Sequence, residues 1–146
     1  MDIGYKDDDI FLLSADEYEH YKRMIPHENC WWWLRSPGCS QFSAAYVQYD
    51  GSVSYGGLFV DVSDLAVRPA LKCSNLESQI IKSTIHKDRF LFHEFPFRII
   101  DAENKIAIAE VPITFDMFDE ETNDYETSYI RSKLLAWFKT GVWDHE

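Results

Sequence analysis

An α+β domain, with a twisted and mainly antiparallel sheet flanked by two helices, is what this sequence predicts. Three observations carry that reading. Short β-branched and aromatic runs recur between Gly, Pro and Asp turn signals, the sharpest being Asp50-Gly51. Two stretches with helical spacing, near 15–24 and 129–139, each follow a hydroxyl cap, Ser14 for the first and Thr127 or Ser128 for the second. Three consecutive tryptophans, Trp31-Trp32-Trp33, require cover on both faces of one strand, because successive strand side chains point to opposite sides.

In chain order, residues 9–13 read as a short buried strand. Ser14 and Glu17 stand at capping-box spacing and open a helix over about 15–24, ended by Pro26. Tyr18, Tyr21 and Ile25 line its inner face, and Asp16, Glu17, Glu19 and Lys22 its polar face. The Trp strand follows and turns at Pro37-Gly38. Residues 44–49 and 52–55 flank Asp50-Gly51 as a hairpin. Gly56-Gly57 breaks the pattern, 58–62 resumes it, and 66–71 is a further strand in which Pro69 demands an edge or a bulge.

Residues 73–88 read as a linker or short helix, the seam between segments 1–72 and 89–146 of a single domain. Strands are predicted at 89–93, 95–100 and 105–110, the last half-buried by its alternation. A loop over 116–126 carries Asp116, Asp119, Glu120, Glu121, Asp124 and Glu126 without a single Lys or Arg. Thr127 or Ser128 caps the final helix, striped by Ile130, Leu134, Trp137 and Phe138, and Gly141 is a suitable terminator.

The 146 residues carry 25 acidic and 14 basic side chains, a formal charge of −11, which repels phosphate backbones and argues against direct nucleic-acid binding. No apolar run is long enough to span a bilayer, and the N-terminus, with Asp2, Asp7, Asp8 and Asp9, is the opposite of a basic export signal. A cytoplasmic protein is expected, and Cys30, Cys39 and Cys73 then read as buried thiols.

No residue set identifies a reaction, a P-loop or a dinucleotide fingerprint, so neither an enzyme nor a cofactor is expected. Zinc at His27, Cys30 and Cys39, or calcium in the 116–126 loop, are weaker readings: neither stretch has an established ligand spacing. Arg35 and Arg68 lie in the most hydrophobic stretches and need carboxylates or carbonyls as interior partners.

The motifs Trp32-Trp33-Leu34-Arg35-Ser36-Pro37-Gly38, Asp50-Gly51-Ser52-Val53 and Val67-Arg68-Pro69-Ala70-Leu71 resemble an uncharacterised bacterial and phage domain family. Its signature is WWLRSPG…DG.V…VRPAL. The resemblance implies a C-type-lectin-like superfold. Residues 97–101, 107–110 and 125–134 resemble that family's opening half. Here they follow the Trp motif instead of preceding it, which implies a circular permutation, with a domain-swapped dimer as the rival.

A rigid scaffold with loops and no catalytic constellation is by default a binding protein. The expectation is a phage or mobile-element inhibitor. Its acidic surface, formed by the 116–126 carboxylates together with Asp7, Asp8 and Asp9, would block the basic nucleic-acid groove of a bacterial defence protein, in the manner of anti-CRISPR proteins. The alternative is a lectin-like carbohydrate- or protein-binding module that uses exposed Trp and Tyr rings.

Overall fold

The computed structural model describes residues 2–76, 80 and 84–145. Its strands are β1 (Ile10–Phe11), β2 (Trp32–Pro37), β3 (Ser43–Val47), β4 (Val53–Phe59), β5 (Ala66–Val67), β6 (Ala70–Lys72), β7 (Thr84–His86), β8 (Arg89–Phe92), β9 (Phe95–Asp101), β10 (Ile106–Ala109) and β11 (Thr114–Phe115). Two α-helices are described, α1 (Ala15–Tyr21) and α2 (Tyr129–Thr140). The fold is α+β, but it has two sheets where one was expected. One runs β1-β6-β10-β9-β8-β7 and the other β11-β5-β2-β3-β4. The pairs are antiparallel except β2 with β5.

The predicted strand over 66–71 is two strands, because the chain crosses between sheets at Arg68-Pro69: Ala66 pairs with Trp32 and Phe115, and Ala70 with Phe11 and Ile108. Proline removes one ladder donor, so a crossing is a place where it costs little. The segments before 73 and after 88 share both sheets, through β6 with β10 and β5 with β11. Cys73–Asn75 forms a 3₁₀ turn, and β7 pairs with β8 at the sheet edge. Within 73–88, residues 77–79 and 81–83 lie outside the described residues.

Hydrophobic core lies on both faces of the sheets. Trp33 belongs to one cluster with Ala107, Ala109, Phe118 and the buried stripe of α2, Ile130, Leu134 and Trp137. Trp32 belongs to the other with Tyr18, Tyr21, Ile106 and Ile108, on the side that α1 covers. Trp31 packs half-buried on the Trp33 side, which is the alternation a strand imposes. For the same reason β10 is buried throughout rather than half-buried: it lies between β6 and β9, and each face carries a core cluster.

The caps form as their residue types dictate. The Ser14 hydroxyl accepts from the Glu17 amide at 3.1 Å, and Glu17 accepts from the Ser14 amide at 2.9 Å. Ser128 caps α2, and Gly141 ends it at φ 75°, its amide donating to the Trp137 carbonyl at 2.7 Å. Glu17, expected on the polar face, is buried at 2% exposure. Its carboxylate takes a bidentate pair from Arg35, at 2.6 and 3.0 Å, and the Gly4 amide at 2.8 Å. Arg35 also donates to the carbonyls of Leu12 and Gly4, tying the N-terminal segment to β2.

The Gly56-Gly57 pair does not break its strand; β4 runs through it with a register shift opposite Ala44 and Tyr46. Gly57 holds φ 82°, and a Cβ there would stand 2.3 Å from the Ala44 carbonyl oxygen. Gly57→Ala is therefore expected to destabilise the protein by more than about 1 kcal/mol, read as a lower urea midpoint with unchanged slope.

Candidate functional site

The sequence-predicted acidic site divides, because most of its carboxylates hold the fold together. Asp116 is buried at 7% exposure: its carboxylate takes the Tyr129 hydroxyl and the Trp143 indole N–H, both at 2.8 Å, and its carbonyl takes the Trp33 indole at 2.9 Å. Asp119 accepts the amides of Glu121, Thr122 and Tyr129 and so fixes the loop to the start of α2. Burial pushes its carboxyl up, and these amides outweigh burial and hold it below the usual aspartate value.

Asp124 caps the turn at Tyr125–Thr127 by accepting the Glu126 amide. Glu126 pairs with Lys6 at 2.6 Å, and Asp8 takes Arg131 in a fork at 2.8 and 3.0 Å. The fold thus brings the N-terminal acids beside the 126–131 region, but through ion pairs that consume charge. Asp9 is half-buried, with its carbonyl on the Lys72 amide. Asp7, Glu120 and Glu121 remain exposed with no hydrogen bond or ion pair to their side chains among the described residues.

Glu120 and Glu121 face something the sequence reading missed. Phe42, 49% exposed, and Phe59, 66% exposed, line a shallow cleft of about 270 Å³ with Val60, rimmed by Asp61, Glu120 and Glu121. β4 sets Phe59 opposite Ser43, and the Val60 amide donates to the Phe42 carbonyl at 2.9 Å, which holds the two phenylalanines together. The signal was present in Leu58-Phe59-Val60: three apolar residues in an extended run cannot all face one core.

Asp50 and Gly51 do the work expected of a hairpin turn. Gly51 holds φ 87°, its amide donates to the Gln48 carbonyl, and the Asp50 carboxylate accepts from the Ser52 amide and hydroxyl. Arg68 is 1% exposed and donates to the carbonyls of Ala109, Pro26 and Glu110, with its guanidinium 4.8 Å from the Trp32 ring centroid. Of the cysteines, expected as buried thiols, only Cys73 is buried: Cys30 is half-buried and Cys39 exposed. Burial pushes the Cys73 thiol up to about 12. Among the described residues no group of three or more His, Cys, Asp or Glu side chains is placed to hold a metal ion, at His27, Cys30 and Cys39 or in the 116–126 loop.

One ion cluster stands apart from the acidic loop. Glu110 bridges Arg89, at 2.7 Å, and Arg98, at 3.1 Å. Burial pushes its carboxyl up, but the hydrogen bonds and charges of the two arginines reverse this and hold it below its ordinary 4.5. A carboxyl depressed on folding adds stability that is fully present above its unfolded value and is lost as pH falls through the folded value. The urea midpoint of the wild type is therefore expected to exceed that of Glu110→Gln above pH 4.5, with the gap closing as acid is added.

Against known proteins, the chain is recognisable in its first half. Residues 5–75 are similar to a family described as a domain of unknown function, DUF6273. The matched stretch takes in β1 to β6 and α1, with the Trp strand, the Asp50-Gly51 hairpin and the Arg68-Pro69 crossing. Of the acid-rimmed cleft it contributes Phe42, Phe59, Val60 and Asp61, whereas Glu120 and Glu121 come from beyond it. No curated protein and no solved structure matches the chain. Among the described residues no helix is long and apolar enough to cross a membrane.

Proposed function

We propose that this is a non-enzymatic binding protein whose acid-rimmed aromatic face docks on a basic surface of a partner protein. The observation that carries the reading is the pair Phe42 and Phe59, left 49% and 66% exposed inside a rim of Asp61, Glu120 and Glu121. Aromatic anchors surrounded by charge are the anatomy of a protein interface, and apolar area left in water is a cost that docking recovers. The net charge of −11 steers the approach of a basic partner and repels nucleic acid itself.

The partner proposed is a bacterial defence protein with a basic nucleic-acid-binding groove, met in the cytoplasm by an inhibitor of phage or mobile-element origin that acts as anti-CRISPR proteins do. Supporting this are the motif resemblance over the DUF6273 region and carboxylates that present phosphate-like charge on a rigid frame. The same resemblance supports a C-type-lectin-like scaffold in permuted order, in which 89–146 supplies the strands and helix that otherwise come first.

The test is capture from bacterial lysate on the tagged protein, with and without nuclease, at low and moderate salt. One stoichiometric nucleic-acid-binding protein, released by salt and displaced by its own DNA or RNA, is expected. Capture that ignores both salt and nucleic acid would overturn the reading.

A second reading, a lectin-like module, is favoured by Trp31 and Tyr49, the latter 56% exposed, whose ring centroids lie 5.2 Å apart. Retention on a glycan support, lost in Tyr49→Ala, would select it.

A further inference from the structure

We propose that a second cleft, on the α1 side of the β2–β3–β4 sheet, binds the oxyanion of a small molecule, a carboxylate or a phosphate, at the Arg68 guanidinium. The cleft measures about 340 Å³ and lies between the end of α1, residues 25–28 and the hairpin tip at 48–52, with Trp32 and Arg68 among its lining. That volume suffices for a small organic ligand.

Arg68 carries a buried charge that Glu28 and Glu110 act on only from beyond ion-pair distance. Arg68 is 1% exposed, and its Nε and Nη2 are held by three main-chain carbonyls at 2.9 to 3.2 Å. Carbonyl dipoles solvate a guanidinium but do not neutralise it, and a buried cation without a counter-charge is costly. No carboxylate of the described residues forms an ion pair with it. Glu110, whose carbonyl it holds, turns its carboxylate to Arg89 and Arg98 instead.

The remaining nitrogen, Nη1, is the free end of the fork. It has no hydrogen bond among the described residues and is not fully buried, and Arg68 is one of the residues that line the cleft. The Trp32 ring fixes the guanidinium plane, and an arginine so held presents its donors in a geometry that matches carboxylate and phosphate oxygens. At the rim, Lys22, which also pairs with Glu19 at 2.9 Å, adds positive charge, and Glu28 and Asp50 negative charge. The Asp50 carboxylate is already engaged by Ser52, at 3.0 Å to its amide and 2.6 Å to its hydroxyl. The deepest charge in the cleft is therefore a fixed cation, in a protein that is otherwise strongly acidic.

The experiment titrates the intact wild-type protein with sodium phosphate and, separately, sodium acetate at constant ionic strength, following the Arg68 Nε–H signal by NMR. A saturable shift with either anion is expected, and its identity tells phosphate-bearing from carboxylate-bearing ligands. Lys22→Ala, at an exposed position, should weaken that binding about fivefold. If neither anion shifts the signal saturably, or if sodium chloride at matched ionic strength reproduces the shift, the proposal fails. Because it needs no protein partner, its failure leaves the docking face untouched.

Discussion

Glu17→Ala is expected to cost about 3–5 kcal/mol of folding free energy, enough to unfold much of a protein of ordinary stability. Glu17 is 2% exposed and completes three structures at once. It closes the α1 capping box, accepts the Gly4 amide that anchors the N-terminal segment, and is the one carboxylate among the described residues on the Arg35 fork. Removing it leaves the Arg35 guanidinium, only 14% exposed, beside two carbonyls with no counter-charge. Arg35→Ala should be similarly damaging, since it strands the carboxylate instead. The double variant should be less destabilised than the sum of the two, because neither charge is then left alone. Urea denaturation of the four proteins reads this directly, and simple additivity would show that the pair is not coupled.

Trp33→Ala should cost about 3–5 kcal/mol by a different route, the cavity left by a large buried side chain. Trp33 is fully buried, 5.7 Å from the Phe118 ring in an edge contact, and its indole N–H is a donor to the Asp116 carbonyl. That carbonyl belongs to the residue whose carboxylate holds Tyr129 and Trp143, so the loss reaches the start of α2 and the C-terminal segment. Trp33→Phe should lose less, keeping the apolar volume but not the donor. Equal losses for the two substitutions would assign the effect to the hydrogen bond alone.

Both positions show what the sequence makes legible. A tryptophan triplet has to divide between two faces, and the structure divides it between the two core clusters. Serine caps, a C-terminal glycine and an Asp-Gly hairpin are local chemistry, readable within four residues of chain. The crossing at Arg68-Pro69 was not readable, because periodicity gives a strand's faces and not the sheet it joins. The break between β8 and β9 was readable, but the backbone conformation of its turn was hidden. Its His93 and Glu94 take φ of 49° and 70°, where Gly or Asn is usual, and His93 sits against the Phe138 carbonyl at 2.8 Å and the Trp137 ring. Tertiary contact there overrides local preference.

The acidic surface was half legible. Composition finds the carboxylates, but only the fold separates Asp116, Asp119, Asp8 and Glu126, which are spent on internal contacts, from Asp61, Glu120 and Glu121 around Phe42 and Phe59. Charge in a sequence is not yet charge on a usable face.

Docking of this face on a basic partner is read from the affinity for the captured partner before and after combined Asp61→Lys, Glu120→Lys and Glu121→Lys substitution. All three sites are exposed, so the urea midpoint should hardly move. Affinity should fall about a hundredfold or more, since each reversal changes a charged contact by on the order of 1 kcal/mol or more. Phe59→Ser alone should weaken it further without altering its salt dependence. Unchanged affinity in the charge-reversed protein would contradict the account and leave the Trp31–Tyr49 surface as the one to pursue.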